Sequence, residues 1–220
     1  MPQATDKILP CPELRDILLP AFMPCPGFQR PCDSMRWLPQ AGHVPRGFCG
    51  ATGTAASVRL VLVVAEPGDP HDAEAYGPAA PPEELFESVC RYVYGCFKNG
   101  KDQFHRNVRA ILNDCWPDLS FDEQLRRTWI TESVLCSASA ECGPVPPAVH
   151  RTCVDLYLAR ELAVVPNAVV VAVGGKAHER MRRLPRPFLR VGSVAPPGCN
   201  QRQVRESWNA VAAAVRAAGR

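Results

Sequence analysis

A chain of 220 residues, 46% hydrophobic with a net charge of +3, has room for one α/β domain with a full core or at most two small ones. No apolar run approaches a membrane span, and the N-terminus MPQATDKILP lacks the apolar stretch of a signal peptide, so a cytosolic protein is expected. Eleven cysteines, an odd number in a reducing compartment, argue against a disulfide framework and for small core residues, with a few left over as metal or cluster ligands.

Residues 1–56 are rich in Pro, Gly and Cys without sustained periodicity and read as an extended arm packed on the domain, with one short helix from Pro12 to Leu19. The first strand, Val58 to Ala65, is an apolar run that stops at Glu66-Pro67-Gly68, the pattern of a strand buried on both faces. A proline-rich loop (Gly77 to Pro82) leads into a helix with Leu85, Val89, Val93 and Cys96 on one face, ending near Asn99-Gly100. A second helix runs from about Gln103 to Cys115.

The next strand is Thr128 to Leu135, followed by a Ser/Gly/Pro loop (Ser137 to Pro147) and a helix from Val149 to Val164. Asn167 to Val173 is a strand, Gly174-Gly175 opens a short helix, and Phe188 to Val194 forms the last strand. Val204, Trp208, Val211 and Val215 mark a terminal amphipathic helix. Strands alternating with helices predict a three-layer α/β sandwich, its central, mostly parallel four-stranded sheet spanning a single unit over residues 57–220.

Ligands of such sheets bind beyond the carboxyl ends of the strands. The tips here carry Glu66-Pro67-Gly68-Asp69, Thr131-Glu132-Ser133 and Ala195-Pro196-Pro197-Gly198-Cys199-Asn200. Arg180, Arg182, Arg183, Arg186, Arg190, Arg202 and Arg205 crowd one stretch, as either a phosphate-neutralising patch or a solvated, salt-bridged face. Lys176 and His178 open the helix after the third strand, where a phosphate is one candidate ligand. His43, His71, His105 and His150 form no metal-ligand spacing, and His71 lies beside the first tip.

In order and spacing these motifs resemble those of the uracil-DNA glycosylase superfamily, above all its iron–sulfur-containing branch. The resemblance covers about residues 25 to 218. It rests on Val64-Ala65-Glu66-Pro67-Gly68-Asp69 with Asp72 and Tyr76, then Thr131-Glu132-Ser133-Val134-Leu135-Cys136, and Cys153 with Tyr157-Leu158. Pro166 to Ala177 and Val194-Ala195-Pro196-Pro197 complete it.

The resemblance implies a monomeric DNA glycosylase of base-excision repair, which flips a deaminated or modified base out of DNA and hydrolyses its N-glycosidic bond. Glu66, or else Asp69, would be the carboxylate that positions water or stabilises the sugar cation. Tyr76 would stack on the base, Glu132 would read its edge, and Ala65, Pro67 and Gly68 would floor its pocket. Pro196, Pro197, Gly198, Asn200 and Arg202 would follow the DNA backbone. Cys25, Cys32, Cys136 and Cys153 would hold a 4Fe–4S cluster, with buried structural cysteines as the alternative; no nucleotide cofactor is implied.

Two departures stand out. Ala195 occupies the place of the family's histidine and cannot donate to the departing base, a loss on the order of 3 kcal/mol. A catalytically weak or inactive DNA-binding protein is therefore the alternative. Glu132 replaces a base-reading Asn; ionised, it only accepts hydrogen bonds and favours amino-bearing bases, whereas a buried, protonated Glu132 also suits uracil.

Overall fold

The computed structural model describes residues 8–23 and 34–219. Five strands form one sheet in the order β1-β3-β2-β4-β5: β1 (Cys49–Gly50), β2 (Leu60–Val64), β3 (Thr128–Glu132), β4 (Val169–Val173) and β5 (Leu189–Val191). All pairings are parallel except that of β1 with β3. Every residue of β2 and β3 is buried, as expected of strands covered by helices on both faces, so the three-layer α/β sandwich holds. The fifth strand is a correction: β1 is a two-residue antiparallel edge, too short to leave a period in the sequence.

The central strands are shorter than the apolar runs that announced them. In β2 the ladder ends at Val64, and the backbone N–H groups of Ser133 and Val134 then bond the carbonyls of Val64 and Ala65 across the two diverging tips. The last strand ends at Val191 rather than Val194, because Gly192 N–H turns to the Ser207 hydroxyl at 2.9 Å.

The helices are α1 (Pro12–Leu18), α2 (Pro82–Asn99), α3 (Gln103–Cys115), α4 (Phe121–Arg127), α5 (Pro147–Cys153), α6 (Ala159–Val164), α7 (Gly175–Met181), α8 (Arg202–Ser207) and α9 (Asn209–Ala218). A π-helical segment, Val154–Leu158, joins α5 to α6, so the predicted single helix carries one wide turn. The terminal helix breaks at Trp208, whose indole N–H reaches Gly192 O at 3.2 Å. Helix α4, at seven residues too short for a clear apolar period, starts at a reciprocal capping box of Ser120 and Glu123.

The N-terminal arm contributes to the main core. Phe22 meets Phe86 edge-on at 5.5 Å, Phe86 stacks on Phe48 at 5.6 Å, and Phe48 lies 6.1 Å from Trp129 of β3. From β2 the chain crosses to β3 on one side, then returns past β2 to β4 on the other. The loops leaving their carboxyl ends therefore diverge, and such a reversal opens a crevice. Among the described residues no helix is long and apolar enough to cross a membrane.

Candidate active site

A cleft of about 530 Å³ opens at the carboxyl edge of the sheet and gathers Glu66, Pro67, Gly68 and Asp69, Glu132, and Ala195 with Pro196. Strand register makes part of this unavoidable: Val64 pairs with Glu132, so the turn after β2 and the end of β3 stand side by side. The third tip is held by Asn107 of α3, which donates from Nδ2 to Val194 O at 2.8 Å.

Glu66 is clamped between two cations of α7. Its Oε1 accepts from Lys176 Nζ, and its Oε2 lies 2.6 Å from Arg180 Nη2, with both Glu66 and Arg180 side chains almost fully buried. Lys176 also donates to Cys142 O at 3.2 Å and Gly143 O at 3.1 Å. Arg180 further reaches Ala65 O at 2.7 Å and the Ser133 hydroxyl at 3.0 Å. Such buried pairing fixes a carboxylate in place, since removing either partner strands a charge in low dielectric.

Glu132 is only 5% exposed, and its Oε2 has no hydrogen-bond partner. Burial, then the neighbouring Glu66 carboxylate, push its ionisation well above the usual carboxyl range, against the opposing pull of Arg180 and Arg46. A protonated carboxyl offers a donor and an acceptor together. Gly47 backs it closely: with φ +88° and its missing Cβ only 2.6 Å from Glu132 Cγ and Oε1, the position admits no side chain.

The EPG turn is tied down from behind by residues that the motifs do not mark. Arg46, 5% exposed, donates to Gly68 O and pairs with buried Glu74 at 3.6 Å. Glu74 in turn accepts the Tyr76 hydroxyl at 2.9 Å. Tyr76 therefore does not line the cleft as a stacking platform; its ring packs against the core, and burial, then Glu74, push its phenol ionisation up. The aromatic lining comes instead from Tyr92, Phe97 and Phe104. Ala65 is also absent from the lining, because its carbonyl serves Ser133, Val134 and Arg180.

Asp69 reaches the cleft but pairs with Arg36 at 3.4 Å, both partly exposed. Of the expected backbone-following residues, Pro196 alone lines the cleft. Pro197 and Asn200 are exposed, Gly198 packs against Ser193, and Arg202 pairs with Glu206 at 2.7 Å. Of the arginine-rich stretch Arg180 is buried and Arg186 half-buried, while Arg182, Arg183, Arg190, Arg202 and Arg205 are exposed. Arg180 serves Glu66, Arg186 binds the carbonyls of Leu162, Val165 and Ala168, Arg205 binds Cys199 O, and Arg182 pairs with Glu179. Lys176 serves Glu66 instead of a phosphate, and His178 meets the Phe188 ring at 5.8 Å.

A second cluster lines the same cleft. Asp102, the N-cap of α3, accepts the backbone N–H of His105 at 3.0 Å and contacts His105 Nδ1 at 2.8 Å and His71 Nε2 at 3.5 Å. His71 Nδ1 lies 3.1 Å from the Tyr92 hydroxyl, which Lys101 Nζ reaches at 2.8 Å. Burial opposes it, yet the His105 N–H and the two imidazoles hold the Asp102 carboxyl below its usual range. The His105 imidazole is itself pushed down, chiefly by burial. Only His71 of this group was singled out from the sequence; the rest converge from separate elements and leave no local pattern.

Cys25 and Cys32 lie outside the described residues. Cys136 and Cys153 line one small apolar cavity of about 20 Å³, together with Ala21 and Met35, and Leu135 N–H points at Cys153 Sγ at 3.4 Å. Among the described residues no group of three or more His, Cys, Asp or Glu is arranged to hold a metal ion. Cys11, Cys49, Cys90, Cys96, Cys115 and Cys199 are buried, and burial pushes the thiols of Cys49 and Cys115 up to about 12. Scanned against protein-family models the chain matches none, and a search of curated proteins finds no match.

Proposed function

We propose that the chain is a DNA N-glycosylase that hydrolyses the glycosidic bond of a flipped, deaminated or modified base. The observation that carries this reading is convergence: Glu66, Glu132 and the Ala195-Pro196 turn, from three separate strand ends, face one cleft large enough for a nucleobase. Cleavage of this bond builds positive charge on the sugar and negative charge on the base, so a fixed carboxylate belongs on one side and donors on the other.

Glu66, held by Lys176 and Arg180, is placed to orient the water that adds to the sugar carbon. Phe104, partly exposed in the lining, offers a ring against which a base stacks, backed by buried Phe97 at 5.9 Å. Glu132 in its acid form supplies the edge-reading donor and acceptor and suits a base with adjacent N–H and C=O, as in uracil. The cluster belongs to the same proposal. Cys136 and Cys153 share one apolar cavity, and an N–H aimed at Cys153 Sγ is the kind of hydrogen bond that supports a thiolate ligand. With Cys25 and Cys32 they would hold a 4Fe–4S group, which supplies a cross-link between distant segments.

The test is a panel of oligonucleotides, each bearing one modified base, followed by alkaline cleavage. Strand scission at one or more bases is expected, and Ala195→His is expected to raise it by about a hundredfold. Ala195 itself favours a second reading, a DNA-binding protein without turnover, for which retarded migration without scission is the signature. Absence of any DNA binding at low salt removes both. A brown preparation with visible absorbance supports the cluster; a colourless, iron-free one removes it.

A further inference from the structure

Ala195 presents a methyl group where the proposed reaction needs a proton donor, yet the same cleft is lined by a chain of proton-bearing groups, Tyr92, His71, Asp102 and His105. We propose that Tyr92 is the acid of this site, giving its hydroxyl proton to the departing base and regaining one from His71, which Asp102 and His105 hold in place. The proposal rests on the glycosylase reading for the identity of the leaving group; the chain of contacts stands independently of it.

The direction of each hydrogen bond follows from what each group is able to do. Lys101 only donates, so Tyr92 Oη accepts from it at 2.8 Å. Asp102, whose carboxyl is held in the ionised form, only accepts, so His105 Nδ1–H points to it at 2.8 Å, and its charge 3.5 Å from His71 Nε2 favours a proton on that nitrogen. One choice then remains, at the 3.1 Å contact between Tyr92 Oη and His71 Nδ1. With neutral His71, Nδ1 is an acceptor and takes the Tyr92 O–H, which points away from the cleft. With His71 as imidazolium, Nδ1–H donates, Tyr92 Oη accepts twice, and its own hydrogen is released toward the cleft that the ring lines.

The reaction balances from that state. The C–N bond breaks and its electron pair stays with the base. The Tyr92 hydroxyl proton moves to the base, and His71 Nδ1–H replaces it on Tyr92. Water gives its hydroxyl to the sugar carbon and its proton to Glu66; Glu66 then releases that proton to solvent, and solvent reprotonates His71, which is about one-third exposed. The charged and titratable groups facing His71 and Tyr92 are Asp102, His105, Lys101, Cys96 and Glu74; burial raises the ionisation of Tyr92, so its proton is retained until the base demands it.

The experiment compares single-turnover cleavage of uracil and 5-fluorouracil in the same duplex by the parent chain and Tyr92→Phe, which keeps the ring. The fluorinated base leaves readily without a proton. A loss of about a hundredfold or more on uracil, shrinking to less than tenfold on 5-fluorouracil, is expected of a lost acid; equal losses on both bases overturn the proposal, since a misplaced ring harms both alike. His71→Gln is expected to reproduce the uracil defect and, like Tyr92→Phe, to spare 5-fluorouracil. Should the parent cleave no base, the glycosylase reading fails separately. Imidazole 15N NMR then tests the chain: Tyr92→Phe must shift the His71 Nδ1 resonance and Asp102→Asn the His71 Nε2 resonance, and unmoved resonances overturn the chain.

Discussion

Two buried glutamates, one packed against β3 and one at its tip, differ in the groups that stand opposite their oxygens. Glu161 of α6 is fully enclosed, and burial raises its carboxyl to about 7, against the indole N–H of Trp129 at 2.8 Å. Glu132 at the tip of β3 is as deeply buried, but its strongest near neighbour is a like charge, Glu66, and its Oε2 has no hydrogen-bond partner. Each carboxyl keeps one buried oxygen without a hydrogen-bond partner, but Glu161 takes the Trp129 indole on the other and faces the core, while Glu132 lines the cleft beside Glu66. Burial alone therefore does not mark a candidate acid; burial beside an opening and a like charge does.

The largest test of that contrast is Glu66→Gln. Removing this charge leaves Arg180 buried against a neutral amide, so unfolding free energy measured in urea should drop by about 3 kcal/mol. Glycosidic cleavage should fall by at least about a hundredfold. The carboxyl of Glu132, relieved of its like charge, should ionise at lower pH, as read by carboxyl NMR. If the Glu132 midpoint stays where it was, the electrostatic half of the comparison is wrong.

Glu161 gives an effect of similar size that appears only as a slope. A carboxyl with a raised folded pKa binds its proton more tightly in the native state. Its stability term is therefore complete below the unfolded value near 4.5 and declines until pH passes about 7. The decline amounts to about 3 kcal/mol. Urea denaturation across that range should show the slope in the parent and lose this part of it in Glu161→Gln. Parallel curves for the two proteins would place Glu161 with the exposed carboxyls.

Asp102 sharpens the contrast at smaller scale, since it is a carboxylate kept ionised where Glu132 is kept neutral. Asp102→Ala deletes the cap of α3 and should cost about 1 kcal/mol at pH 7. Because its folded pKa is lowered, the parent holds this advantage above the unfolded value and loses it as pH falls through the folded one. The difference between parent and variant should accordingly vanish in acid, which thermal melts at stepped pH can follow.

Legibility was uneven for physical reasons. Apolar runs of period two or less placed β2, β3 and β4 to within a few residues, because strands buried on both faces have no other way to be written. Glu66, Glu132 and Ala195 were legible as tip residues for the same reason. Tyr76 was misplaced because a ring and a hydroxyl suit a base platform and a buried carboxylate equally well, and only Glu74 across the turn decides between them. Arg46 and Arg180 passed unnoticed as site residues because their partners, Glu74 and Glu66, lie far away in the chain.

By itself, the sequence determined the layered α/β architecture and the edge of the sheet at which polar groups collect, since both follow from local periodicity and from where each apolar run stops. Tertiary structure alone decided the charge state and the company of those groups. It set Glu66 between two cations, left Glu132 beside it without a hydrogen-bond partner on Oε2, and brought Lys101, Tyr92, His71, Asp102 and His105 into one chain of contacts. Protonation depends on burial and on neighbours brought from elsewhere in the chain, and neither is a property of any short stretch of residues.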